Sequence, residues 1–397
     1  MTKMMFALCA MALSLSACAT MPTPDNAANS IYATQQQLRD DDPVLPRCHA
    51  PNLPPELFGL QEIEGARFAF APDQLSQGDR LRLNITGDKD RLTGTYVIAT
   101  NGSILLADSI IVQAAGKTVA ALEREIAGIL VDRHYIRTLS GGVSLQQIEL
   151  AGVTVSVSGA VFEPGSIRVG ERQPEVRSLN LSNIVSGDQN ISRMLSTALR
   201  AAGGVRPDGD PRSIYLIRGA QYARIDMHGA LDGSLHNDLP ITASDRIIVA
   251  SVGCLQEWLV RPSPITAPGI RVYLSNLSRP AVHNAGSAIG VETSSLPYGT
   301  RFLQGLVSAN CVGGSAMNAG RSAVLISRNP INGQSVVIAR SIERLVRQED
   351  RDRYDPYLMP GDSIACYDSV AMNLRDVMSV VGEVASPYLL LGKGNGL

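Results

Sequence analysis

The sequence predicts a mixed α+β chain made of several small modules. Three observations lead there. One short pattern occurs three times, as Leu75-Ser76-Gln77-Gly78-Asp79-Arg80-Leu81-Arg82-Leu83, Ile241-Thr242-Ala243-Ser244-Asp245-Arg246-Ile247-Ile248-Val249 and Leu358-Met359-Pro360-Gly361-Asp362-Ser363-Ile364-Ala365-Cys366. Each copy is an apolar start, a turn, an aspartate and then alternating apolar residues. Glycine tolerates positive φ and aspartate bonds backbone two residues on, so each copy reads as a tight turn opening a half-buried strand. The last two copies close longer parallel stretches that both read strand, strand, helix, strand, strand, a small α+β module. The 397 residues include 36 glycines and 22 prolines, a supply suited to many short strands and turns. At ~100–200 residues per domain, the length fits two or three domains.

In chain order, residues 1–17 are built like a secretory signal, with Lys3 followed by the apolar run Met4 to Leu15. About a dozen apolar residues are too few to span a bilayer, which takes ~20. Leu15-Ser16-Ala17-Cys18 resembles the lipobox of bacterial lipoproteins, in which the signal is cut before the cysteine and the thiol takes the lipid. The resemblance implies an exported chain that starts at Cys18 and carries palmitate-type acyl chains. Several such chains hold a protein on a membrane firmly. Residues 18–65 are polar and proline-rich, with Asp40-Asp41-Asp42 and prolines at 51, 54 and 55, and read as a tether partly laid along the body.

Residues 66–152 form the next expected domain. After Asp79 comes a strand, Leu81 to Ile85, and then Asn101-Gly102 between the apolar runs 96–100 and 103–106, the strongest short hairpin signal. A helix follows from Thr118 to Val131, with Thr118 as N-cap and an apolar stripe of Val119, Leu122, Ile126, Ile129 and Leu130. Strands near 143–147 and 153–158 lead into the first module, residues 153–252. Its first turn contains Gly159, Pro164 and Gly165, its helix runs from Met194 to Ala202, and Gly203-Gly204 stops that helix. The second module, residues 268–368, answers with Arg271 to Pro280, a helix from Arg301 to Asn310, and Ala323 to Arg328. Pro164 and Pro280 lie 116 positions apart, and Asp245 and Asp362 lie 117 apart, so the order holds while loops differ.

Composition excludes several functions. Lys plus Arg is 35 and Asp plus Glu is 37, with no basic patch, which argues against nucleic acid as a partner. Aromatics are 5%, so no aromatic-rich pocket is advertised. With Cys9 in the signal and Cys18 lipidated, Cys48, Cys254, Cys311 and Cys366 remain for disulfides in an oxidising compartment, in any of three pairings. No C-x-x-C occurs, and Cys48-His49 has no matching pair, so no metal site is expected. Gly-x-Ser-x-Gly is absent and the five histidines are scattered, so no nucleophile–base constellation is in view. Asp79, Asp245 and Asp362 occupy one repeated turn slot and read as turn caps rather than catalytic acids. The glycine-rich end, Gly392-Lys393-Gly394-Asn395-Gly396, opens no helix and is not a phosphate cradle.

The run from Gly78-Asp79 through Asn101-Gly102-Ser103-Ile104 and Ala115-Gly116-Lys117-Thr118 to Gly159-Ala160-Val161-Phe162-Glu163-Pro164-Gly165 resembles the polysaccharide export family of outer-membrane proteins. That family has a lipobox, then a polysaccharide export domain with "GD", "DG" and "aGlT" motifs, then "GeVxxPG" and repeated soluble ligand-binding β-grasp (SLBB) modules. The resemblance covers roughly residues 70 to 370. Departures are the missing proline near Ala107, a longer loop from Gly170 to Gln189, and a second-module turn without the glycine pattern. It implies a homo-oligomeric ring in the outer membrane, mostly periplasmic. Capsular or extracellular polysaccharide would pass through it uncut, and an inner-membrane polysaccharide co-polymerase with a tyrosine-kinase-like part would dock below. No enzyme activity and no cofactor are implied.

The resemblance also implies that the end of the chain, residues 369–397, forms the pore as an amphipathic helix with a tail. Val370, Leu374, Val377, Met378, Val381 and Val384 fall on one face of a helix. At ~1.5 Å per residue, 369–386 would reach ~27 Å, near the ~30 Å hydrocarbon thickness. The competing expectation is a lipid-anchored periplasmic adaptor that binds glycan or a partner and forms no pore.

Overall fold

The computed structural model describes residues 48–69, 74–88, 91–106, 109–136, 142–171, 192–235, 238–276, 295–309, 311–312, 321–328, 335–347, 349 and 351–367. They are mixed α+β and fall into two compact units. One comprises Leu45–Ile270 with Pro297–Gly299, and the other Arg271–Leu296 with Thr300–Leu397.

The larger unit begins with a 3₁₀ turn at Pro55–Leu57, strand β1 (Gln61–Glu62) and helix α1 (Gly65–Ala69). Two cores follow. In the first, β2 (Arg80–Ile85) alternates so that Leu81, Leu83 and Ile85 point inward, the period-2 geometry of a strand. It pairs antiparallel with β3 (Gly94–Val97) and with β6 (Val143–Glu149). Strands β4 (Ser103–Leu106) and β5 (Ile110–Gln113) form a separate hairpin. Helix α2 (Val119–Asp132) closes this core with Leu122, Ile126 and Leu130, while Val119 and Ile129 pack at its margin. The Thr118 Oγ1 accepts the Ala121 N–H at 3.2 Å, so Thr118 is the cap.

The expected Asn101-Gly102 hairpin is corrected in one respect. The turn forms, with the Ala99 N–H donating to the Ser103 carbonyl at 2.8 Å, but the runs it joins do not pair with each other. Strand β3 stays with β2 and β4 goes to β5. The Gly102 carbonyl accepts the N–H groups of Ala114 and Ala115, both at 2.9 Å, which ties the turn to the end of β5. A local turn signal cannot reveal this non-local tie.

The second core lies on a six-stranded sheet of order β1-β10-β9-β11-β7-β8. Its other strands are β7 (Val153–Gly159), β8 (Gly165–Val169), β9 (Gly209–Arg218), β10 (Gln221–Ile225) and β11 (Arg246–Ser251). Strand β7 runs parallel to β11, and β11, β9 and β10 alternate antiparallel. Helix α3 (Leu195–Ala201) buries Leu195, Ala198 and Leu199 among Val155, Leu216 and Ile247. A separate cluster places Leu57 against Tyr215, Ile217, Tyr222 and Ile248. The Cys48–Cys254 disulfide, Cα–Cα 4.9 Å, fixes the start of the covering segment. The stretch read as tether is therefore part of the body from Cys48 onward.

In sequence, the short strands β12 (Gly269–Arg271) and β14 (Ser295–Pro297) stand where the chain passes between units. The smaller unit has a four-stranded sheet of order β13-β17-β15-β16, from Tyr273–Asn276, Ser363–Tyr367, Ser322–Arg328 and Ser335–Ser341. Strand β13 is parallel to β17, while β17, β15 and β16 alternate antiparallel. This is the pairing pattern of β7, β11, β9 and β10. Helix α4 (Phe302–Ser308) buries Phe302 and Leu306. The Cys311–Cys366 disulfide, Cα–Cα 6.1 Å, joins the chain just past that helix to β17.

One clamp recurs three times. The residue five before the turn aspartate bridges to the residue that starts a helix: Gln74 to Thr118, Pro240 to Met194, and Tyr357 to Arg301. Backbone bonds hold each clamp: the Leu75 N–H donates to the Lys117 carbonyl (2.9 Å), Leu195 to Leu239 (2.9 Å) and Phe302 to Pro356 (2.8 Å). Thr118 caps its own helix, whereas Met194 cannot. There Asp238, seven residues before Asp245, accepts the Ser196 N–H at 3.0 Å. Asp355, seven before Asp362, accepts the Leu303 N–H at 2.9 Å. A carboxylate at a helix N-terminus answers both the orphan N–H groups and the dipole. Asp238→Ala is expected to lower the unfolding free energy of the larger unit by about 1–2 kcal/mol, and Asp238→Asn by less. Urea titration followed by circular dichroism checks this, and an unchanged midpoint for the alanine variant would refute the cap.

Candidate functional site

The three repeated turns share one backbone design. The residue before each aspartate has positive φ: Gly78 at 86°, Ser244 at 67° and Gly361 at 83°. Its N–H donates to a neighbouring strand, to Ile98 (2.8 Å), Thr154 (3.1 Å) and Arg271 (2.8 Å) respectively. The aspartate carbonyls in turn accept the N–H groups of Ile98 (3.0 Å), Ser156 (3.0 Å) and Tyr273 (2.8 Å). Each carboxylate folds back to accept the N–H three residues earlier, from Ser76, Thr242 or Met359, at 2.8 Å in all three copies. The turn slot read from sequence is thus a strand-opening turn that stitches two strands.

The carboxylates differ in what else they meet. Asp79 accepts the Ala151 N–H at 2.7 Å and the Gln147 amide at 2.9 Å. Asp245 is clasped by Arg218 through Nε (2.9 Å) and Nη2 (2.8 Å), a fork-to-fork pair, with the Thr242 hydroxyl at 3.0 Å. Asp362 has a hydrogen bond from Ser327 and no cation, and its Oδ1 is buried without a hydrogen-bond partner among the described residues. Burial pushes the Asp362 carboxyl up to about 7, only partly opposed by the Met359 N–H and Ser327.

Two of these turns line one cavity of about 1290 Å³ in the larger unit. Gln74 to Gly78 contribute from the first core and Thr242 to Asp245 from the second. The Gly116 turn and residues 97–100 at and beyond the end of β3 also border it; Arg67, Arg168 and Arg218 supply its charged lining, and Ile63, Phe68 and Val97 supply apolar surface. Arg218 is held in place by Asp245, by the Pro240 carbonyl at 3.1 Å and by the Phe68 ring, 4.9 Å from its guanidinium carbon. Arg67 and Arg168 are exposed, Arg168 beside Glu171. Hydroxyl, amide and guanidinium groups over an apolar floor can hold a polar ligand.

Neither the protein-family models nor the curated proteins yield a match to the chain.

Of the residues singled out from sequence, Gly78 and Asp245 line the cavity, while Asp79 is buried in its own turn and Asp362 lies in the smaller unit. Asn101 and Gly102 make their turn elsewhere, where the Asn101 Oδ1 accepts the Ser103 N–H at 3.1 Å. Gly159, φ 84°, ends β7, and a Cβ there would run into the Val249 carbonyl. Pro164 and Gly165 are exposed at the β7–β8 turn. Cys18 and the tail positions Val370, Leu374, Val377, Met378, Val381 and Val384 lie outside the described residues. Among the described residues no helix is long and apolar enough to cross a membrane, and no cluster of three His, Cys, Asp or Glu could hold a metal. Sequence reading missed Arg67, Arg168 and Arg218. The only signal in reach was Arg218 ending an apolar strand run.

Two tests follow from the turns. Ser244 occupies a backbone region that costs a non-glycine residue ~1–2 kcal/mol, part of which glycine returns as chain entropy. Ser244→Gly should therefore raise stability by about 0.5–1 kcal/mol, read as a higher urea midpoint; a lower midpoint would contradict this account. The second concerns Asp362. Below the unfolded carboxyl pKa of ~3.9 both states carry the proton, and nothing is lost. As pH rises from there to about 7 the unfolded chain ionises while the folded one holds its proton, so stability falls across that window and then levels off. The loss is on the order of 4 kcal/mol. Asp362→Asn should remove this slope, so its melting temperature should gain on the parent as pH rises from 4.5 to 8. A constant difference between the two proteins would show that Asp362 does not titrate in that window.

Proposed function

We propose that the chain is an outer-membrane lipoprotein that assembles into a homo-oligomeric ring and conducts a capsular or extracellular polysaccharide out of the periplasm. On this reading residues 66–152 are a polysaccharide export domain and the two repeated units are β-grasp-like modules. Cys18 carries the lipid and the segment from residue 369 forms the membrane helix. The observation that carries the reading is the repeated build. Two modules share one strand pairing, with first and last strands parallel, and the preceding domain repeats their clamp and turn. Like modules in a row are suitable material for stacked rings, because copies related by a closing rotation place equivalent modules in the same layer.

Two disulfides add support, since such bonds persist in oxidising compartments outside the cytosol. Transport on this reading is passive. A hydrated lumen lets sugar exchange weak, water-bridged contacts with polar side chains, and polymerisation with the inner-membrane co-polymerase supplies the drive. No residue transforms the sugar.

The polar cavity would serve a glycan-holding adaptor as well, so the deciding measurement is assembly. Particle imaging of the detergent-purified mature protein should show rings with a central hole. A persistent monomer would overturn the conduit and favour the adaptor.

A further inference from the structure

The cavity lining carries an imbalance of charge. Among the described residues three arginines line it, Arg67, Arg168 and Arg218, against one carboxylate, Asp245. That carboxylate offers nothing to a ligand: its side chain is 0% exposed and both oxygens are taken by Arg218 and by Thr242. Arg218 is in turn spent on Asp245 and the Pro240 carbonyl and forms a fixed wall. Two guanidinium groups are left to face a ligand. The Arg67 side chain is exposed and makes no hydrogen bond among the described residues. Among the described residues Arg168 is paired only with Glu171, and both side chains are more than half exposed, a setting in which an ion pair contributes little and yields readily to a competing anion.

The remaining lining narrows the ligand class. Gln74, Gln77 and Gln221 bring amides, and Thr100, Thr154 and Ser244 bring hydroxyls, groups that both donate and accept as sugar hydroxyls require. The volume of about 1290 Å³ exceeds the ~300–1,000 Å³ of pockets for drug-sized molecules, so it has room for more than one sugar ring. Guanidinium groups match carboxylates in plane and in spacing, which favours a ligand bearing carboxylates on its rings.

We propose that this cavity is a binding site for an acidic saccharide, a short stretch of uronate-bearing chain whose carboxylates meet Arg67 and Arg168 while its hydroxyls meet the amide and hydroxyl lining. The assignment deepens the polysaccharide reading and rests on it for the claim that a saccharide is the natural ligand. It adds that the polymer is acidic and that the larger unit grips it at a defined place.

The test uses the detergent-solubilised mature full chain and calorimetric titration with tetragalacturonate, with the fully methyl-esterified tetramer as an uncharged match in shape, and with acetate. The acidic tetramer is expected to bind about tenfold tighter than the ester, the scale of one charge-assisted contact. The double variant Arg67→Gln, Arg168→Gln removes exposed charges only and leaves the Arg218–Asp245 pair intact. Its melting temperature should match the parent and its preference for the acidic tetramer should vanish. Equal binding of the two tetramers, no binding of either, or an unchanged preference in the variant would overturn the proposal. Displacement by acetate at equal carboxylate concentration would overturn it too, by reducing the site to one for a bare carboxylate. The two readings fail separately: rings without acidic preference leave the conduit standing, and a monomer that prefers the acidic tetramer leaves the cavity assignment standing.

Discussion

The backbone clamp between each helix start and the segment five residues before a turn aspartate is the constraint on which the rest depends. It brings together pieces far apart in the chain, such as Leu75 and Lys117 or Phe302 and Pro356. Once it is made, the helix start is fixed against the segment that leads into the turn, and the turn's aspartate then sets the strand register through its own N–H, carbonyl and carboxylate. Strand, turn and helix cannot be moved separately. The same turn serves an antiparallel neighbour in the first copy, where Ile98 both accepts and donates, and a parallel one in the other two, where the partners are residues two apart. That versatility explains how one device recurs in a domain and in modules with different sheets.

Much of this was legible in the sequence. The turn slots could be read because glycine, aspartate and apolar alternation are local signals, and helix α2 could be read because Leu122, Ile126 and Leu130 repeat at helical spacing. The clamp was not legible, because backbone-to-backbone bonds leave no side-chain signature. The helix starting at Met194 was legible, but not that Asp238 supplies the cap Met194 lacks. The separation of β3 from β4 was hidden for a related reason: Asn101-Gly102 specifies a turn but not which strands will use it. The cavity was the least legible part. Arg67 belongs to helix α1, Arg168 to the exposed side of β8 and Arg218 to the end of β9, so only topology brings them together.

The three turn carboxylates also show how one geometry supports different electrostatics. Backbone donors are common to all, so the fold of the turn needs no cation. Asp245 meets the Arg218 guanidinium, which also fills the cavity wall. Asp79 meets the Gln147 amide and the Ala151 N–H instead. At Asp362 the protein supplies neither, and burial dominates. The turn therefore keeps one backbone shape whether or not a cation stands beside its carboxylate.

The bridge between Cys48 and Cys254 has a mechanical consequence. Residue 254 follows closely on β11, which is hydrogen-bonded on both sides within the sheet. Any tension arriving along the chain ahead of Cys48 is handed across the sulfur bridge to that central strand. The intervening stretch, with its two-residue β1 and the Leu57 plug, is relieved of load and does not peel from the edge.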